Sequence, residues 1–126
     1  MATKRSKQKI VIIGLYLPGI YPSGDDSVVS DLLAPALLKS TADADPEISD
    51  QYEIKILNLP TTIDSAAIAR QIFDQSPFIV AYSVYMWNYY QMVESSVLIK
   101  KLKPEIRIIV GGPQVTYNSV DILRSN

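Results

Sequence analysis

The chain has 126 residues, 48% of them apolar and 20% charged, with a net charge of −1. That is enough for one core and too ordinary for a disordered or fibrous protein, and the charge is too small to argue for a nucleic-acid or membrane partner. Cysteine and histidine are both absent, which excludes disulfides, thiolate catalysis, and thiolate, imidazole or iron–sulfur ligation by this chain.

Residues 1–8, with Lys4, Arg5 and Lys7, read as a basic solvated tail, and residues 9–126 as one domain. Lys9 to Leu15 is a β-branched apolar run, predicted as a strand buried on both faces. A turn-rich stretch from Tyr16 to Asp26 follows. Val28, Leu32, Ala36 and Leu37 then share a helical face, with Pro35 either in the first turn or at a kink. Thr41 to Asp50 reads as an acidic linker. Tyr52 to Leu57 alternates, as an edge strand does, and Asp64 can cap a helix carrying Ala67, Ile68, Ile72 and Phe73. Phe78 to Ser83 is a second buried strand. Tyr90, Val93, Val97, Leu98 and Leu102 fall at helical spacing before Pro104. Ile106 to Val110 is the fourth strand, ending in Gly111-Gly112-Pro113, and a last short helix begins near Ser119.

This alternation predicts an α/β fold with a doubly wound (flavodoxin-like, Rossmann-like) parallel sheet of order 2-1-3-4. The fourth strand reads as buried, yet that order leaves it at an edge. The sequence therefore predicts a C-terminally truncated piece of a larger protein, lacking a fifth strand, and a dimer through the exposed fourth strand. No apolar run reaches the roughly 18 residues of a membrane span, and no signal peptide is visible, so the chain reads as cytoplasmic.

Ligands of open parallel sheets bind beyond the carboxyl ends of the strands, where strand order reverses. Here that means the loops after the first and third strands, with the fourth alongside. Ser83 is followed by Val84-Tyr85-Met86-Trp87-Asn88-Tyr89-Tyr90, which sets four aromatics behind a strand-end hydroxyl. Such a cluster suits a large ring-shaped ligand, or else packs the next helix onto the sheet. Gly111-Gly112 permits close backbone approach, or a tight turn before Pro113. The first loop, with Gly14, Pro18, Gly19 and Gly24, wraps a ligand or is a long turn. The dinucleotide and phosphate-loop fingerprints are missing, and the third strand lacks the terminal aspartate of a phosphoacceptor. Carboxylates do not cluster near these loops, apart from Asp25 and Asp26, so no catalytic residue and no metal ligand is assigned.

Tyr82 to Asn88, and Lys103-Pro104-Glu105-Ile106 leading to Val110-Gly111-Gly112-Pro113-Gln114-Val115-Thr116-Tyr117, resemble a known family. It is the cobalamin (vitamin B12)-binding domain found N-terminal to the barrel of radical S-adenosylmethionine enzymes. The resemblance spans almost the whole chain from Lys9 and is most specific from Ser83 to Tyr117. It implies that Ser83, Gly111 and Gly112 line the slot for the cofactor's nucleotide tail. With the flanking loops, the implied cofactor-binding set is Tyr16, Pro18, Gly19, Ser83, Val84, Tyr85, Trp87, Asn88, Gly111, Gly112 and Pro113. One departure is clear: methionine-synthase-type domains carry D-x-H-x-x-G after the first strand, and this chain has no histidine to bind cobalt. The resemblance further implies a downstream barrel with a C-x-x-x-C-x-x-C motif, a 4Fe-4S cluster and S-adenosylmethionine. Cobalamin would then serve as methyl carrier or redox partner, and this piece alone would not be an enzyme. The alternative is a cofactor-free structural or interaction module that docks on the barrel or helps recognise substrate.

Overall fold

The structure, a computed structural model, describes residues 5–19 and 33–126. The first apolar run forms β1 (Gln8–Tyr16), in which every residue from Val11 to Leu15 is buried. A strand flanked on both sides requires that continuous apolar character. β1 pairs in parallel with β2 (Tyr52–Pro60) on one side and β3 (Ile79–Ser83) on the other, and β3 pairs in parallel with β4 (Arg107–Gly111). The order is therefore β2-β1-β3-β4. Helices α1 (Leu33–Ala44), α2 (Pro46–Ser49), α3 (Ser65–Asp74), α4 (Tyr89–Leu102) and α5 (Ser119–Ser125) complete the described elements. The fold is a doubly wound, flavodoxin-like or Rossmann-like sheet. No helix of the described residues is long and apolar enough to cross a membrane.

Successive Cβ atoms alternate across a strand, and among the described residues the two faces differ in how well they are filled. On one face Val11, Ile13, Leu15, Val80 and Tyr82 pack with Ile68 and Ile72 of α3 and Met92 and Ile99 of α4, and Ile122 of α5 joins at the rim. Right-handed crossovers place α1 on the opposite face, where it lies against β1 and β2. Of its side chains only Pro35 is buried; Leu33, Leu37 and Leu38 are 71%, 57% and 62% exposed.

Asp64 caps α3 as its position predicts, accepting from the Ala67 backbone N–H at 2.7 Å. Four expectations need correction. Thr41 to Asp50 is not a linker: α1 runs to Ala44, and Asp45 caps α2 by accepting from the Glu47 N–H at 2.9 Å. Leu37 does not face the sheet, while Val28 and Leu32, expected beside it, lie outside the described residues. The inward stripe of α4 is Met92, Ser95 and Ile99, with Val93 and Leu98 packed against the core as expected, whereas Tyr90, Val97 and Leu102 are 76%, 48% and 65% exposed. An apolar-spacing rule misses that stripe because it contains a serine. Finally, β4 is not a buried strand: Arg107, Ile109 and Gly111 are exposed and only Ile108 and Val110 turn toward the core.

Ser95 has a partner that makes its burial tolerable. Its hydroxyl donates to the Gln91 carbonyl at 2.6 Å, so the Tyr82 phenol, 2.7 Å away, donates to Ser95 Oγ. Burial pushes the Tyr82 phenol up to about 12. The folded state therefore holds this proton more tightly than the unfolded chain, whose tyrosines titrate near about 10. The resulting stabilisation is complete below that pH and is lost as pH rises from about 10 through 12. The urea midpoint should fall across that interval, and Tyr82→Phe should flatten the fall. An equally steep profile in the phenylalanine variant would contradict this assignment.

Candidate functional site

Parallel pairing brings the carboxyl ends of the four strands to one rim. In register across it stand Asn58 of β2, Gly14 of β1, Ser83 of β3 and Gly111 of β4. Cross-strand neighbours share a face, so Ser83 has a glycine on either side; Gly14 is buried, and it is on the Gly111 side that the described residues leave space. A Cβ built on Gly111 meets nothing within 4 Å. That space lies on the α1 face beside β3, next to the reversal of strand order between β1 and β3, where open parallel sheets take their ligands.

The loops around the gap are fastened by hydrogen bonds to backbone. Asn88 is 1% exposed; its Nδ2 donates to the Leu15 carbonyl at 3.2 Å and the Ser83 carbonyl at 3.1 Å, and its Oδ1 accepts from the Tyr85 N–H at 2.9 Å. One side chain thus ties the end of β1 to the end of β3 and folds the loop between β3 and α4. The Trp87 indole N–H donates to the same Leu15 carbonyl at 3.2 Å. The β4 loop is joined as closely: Val84 N–H donates to the Gly111 carbonyl at 2.7 Å, and Gln114 N–H to the Val84 carbonyl at 3.3 Å. Gly112 is where these two loops touch. Its φ is +108°, and a Cβ there would sit 2.5 Å from the Val84 carbonyl oxygen.

The aromatic cluster divides. Tyr85 and Trp87 stack with ring centroids 4.5 Å apart and planes at 7°, forming a flat surface on which Trp87 is 41% exposed. Tyr89 packs against the core instead, and Tyr90 points outward. Met86 and Tyr117 add exposed apolar surface at the same end, 76% and 93% open. Tyr16 and Pro18 are half-buried, Gly19 and Pro113 exposed, and the Tyr16 carbonyl accepts from the Thr61 N–H at 2.9 Å. Gly24, Asp25 and Asp26 lie outside the described residues. Of the expected site residues, Ser83, Tyr85, Trp87 and Gly111 present open surface, whereas Val84 and Asn88 hold the loop from beneath. Sequence reasoning did not single out Gln91, whose Nε2 donates to the Thr61 carbonyl at 3.2 Å and so binds α4 to the end of β2. A polar residue in the first turn of a helix that starts at the rim was the available signal.

A solved structure described as a novel cobalamin-binding protein from Desulfitobacterium hafniense DCB-2 superposes with a TM-score of 0.60, covering 94% of this chain and 49% of that one at 20% identity. At that identity the match establishes the fold. A curated relative, 2-(S-pantetheinyl)-carbapenam-3-carboxylate methyltransferase of Streptantibioticus cattleyicolor, is 25% identical over 111 residues. The match takes in 88% of this chain but only 14% of that enzyme. The family model described as B12 binding domain matches residues 47–126, which takes in β3, β4 and both of their loops. By that match the chain belongs to the B12 binding domain family.

Proposed function

We propose that the rim built from Ser83, Gly111 and the Tyr85–Trp87 stack holds cobalamin for an enzyme whose radical S-adenosylmethionine barrel lies further along the same polypeptide. The observation that carries the binding reading is the gap beside Ser83. A nucleotide tail needs a slot free of Cβ atoms and edged by a hydrogen-bonding group, and Ser83 beside the open Gly111 supplies one. The stacked pair offers an apolar surface wide enough for a macrocycle. Bound cobalamin supplies a methyl carrier or a redox centre. This chain's contribution is to bind, to orient and to cover; it has no histidine to offer cobalt. Asn88 and Gly112 act beneath the surface, fixing the two loops that face the ligand. Fusion to a barrel with its 4Fe-4S cluster accords with the methyltransferase relative, of which this domain spans a small part. The barrel and its S-adenosylmethionine chemistry rest on the resemblance in sequence.

Titration with hydroxocobalamin, followed by its visible spectrum, tests the reading. Gly111→Val keeps the fold, because its side chain enters open space, and should reduce affinity at least about tenfold by filling the slot. Ser83→Ala should cost one hydrogen bond, roughly 0.5–1.5 kcal/mol, or about two- to twelve-fold. Circular dichroism checks folding in each. Unchanged affinity in folded Gly111→Val would place the cofactor elsewhere, and no binding by the wild-type chain would favour the cofactor-free module.

A further inference from the structure

β3 has a neighbour on each side, yet among the described residues only one of its faces is fully covered. Val80 and Tyr82, toward α3 and α4, are buried, whereas Ile79, Ala81 and Ser83, on the α1 side, are half-buried. α1 itself lies against β1 and β2. The register fixes what stands on the half-open face. Ser83 lies between Gly14 and Gly111, Ala81 between Ile12 and Ile109, and Ile79 between Ile10 and Arg107. Residues two apart along a strand are separated by about 7 Å, so Ala81 continues the Ser83 position down the sheet by that distance.

These side chains make a trough one strand wide. The Ala81 methyl is its floor, Ile12 and Ile109 are its walls, and Ile79 is its foot. The two wall strands run roughly 9.5 Å apart, while a helix with its side chains is about 10–12 Å across. A helix laid over this face would rest on the isoleucines and roof the trough without entering it. A flat ring set between the isoleucines would fill it. Below Ser83 that ring meets only hydrocarbon, because the β3 backbone is paired with β1 and β4. Arg107, at the foot, keeps its guanidinium over the Phe78 ring at 5.2 Å. An exocyclic amine on the ring would therefore be buried with its N–H groups unpaired.

We infer that Ala81 is a specificity-determining residue: it admits a corrinoid whose tail ends in an apolar, benzimidazole-type base and disfavours one ending in an amino-bearing purine. The inference rests on the reading that the cofactor binds beside Ser83 and Gly111. Spectral titration with hydroxocobalamin, with an adenine-tailed cobamide and with cobinamide, the same corrin without a nucleotide tail, tests it. The wild-type chain should bind hydroxocobalamin at least about tenfold more tightly than cobinamide, and about fivefold or more tightly than the adenine cobamide. Ala81→Leu fills the trough and should lower the affinity for hydroxocobalamin to that for cobinamide, whose own affinity should change by no more than about twofold. Ala81→Val, a better strand former, takes its place if circular dichroism shows the leucine variant misfolded. Equal wild-type affinity for all three corrinoids would overturn the assignment with no variant needed. So would a folded Ala81 variant that binds hydroxocobalamin as the wild type does. Binding of none of the three by the wild-type chain would defeat the cofactor reading itself, and this assignment with it.

Discussion

Gly112→Val should unfold the domain or lower its stability by roughly 3 kcal/mol or more, with or without cofactor. Two independent costs meet at this position. The φ of +108° is one that a β-branched residue scarcely adopts. Space is also lacking, because the new Cβ would lie 2.5 Å from Val84 O and 2.8 Å from Val84 N. Both obstacles are backbone atoms, so no rotamer change relieves them. The β4 loop must lift away, which breaks the bonds from Val84 N–H to Gly111 O and from Gln114 N–H to Val84 O. Thermal unfolding should show a midpoint lowered by roughly 10 °C or more. Loss of cobalamin binding in this variant would then report the fold, whereas the same loss in Gly111→Val reports the slot. A Gly112→Val protein as stable as the wild type would mean that the two loops are not in contact.

Asn88→Leu should cost roughly 2–4 kcal/mol despite adding apolar volume to a buried position. The exchange removes the partner of the Tyr85 N–H and one donor each from the Leu15 and Ser83 carbonyls. Buried groups so deprived lose the hydration they had in the unfolded chain without replacement. Asn88→Asp should be no better, since a carboxylate oxygen would then face two carbonyl oxygens. Because Trp87 is the only tryptophan and its indole hangs on the same Leu15 carbonyl, its fluorescence should shift to the red as the loop loosens. Urea denaturation gives the stability and the emission spectrum the local order. Wild-type stability in Asn88→Leu would show that the clasp contributes nothing.

The sheet was readable from sequence because its signals are local. β-branched runs marked β1 and β3, alternation marked β2, and Asp64 announced α3. Strand order followed from connection lengths and handedness. What stayed hidden is tertiary. Tyr82 and Ser95 justify one another only once β3 lies under α4, so a serine in the buried stripe gave no apolar signal. Asn88 was picked out as a ligand contact on account of its loop, but its three backbone partners come from β1, β3 and the loop itself, a convergence that sequence spacing does not encode. The paired glycines looked alike, and only the approach of Val84 distinguishes Gly112, which the fold requires, from Gly111, which leaves space. The rim that gathers Ser83 between two glycines was implied by topology, although the exact register was not.

The unequal filling of the two faces has a mechanical consequence. The side of the sheet beneath α3 and α4 is clamped by a dense apolar cluster, so strand ends and loop anchors on that side deform little. Of the side chains of α1 on the other side only Pro35 is buried, and local opening free energies fall where buried apolar contact is sparse. A sheet built this way is stiffer beneath α3 and α4 than beneath α1. Local opening should therefore begin at α1, which lies against β1 and β2, at a smaller free energy than opening the main core.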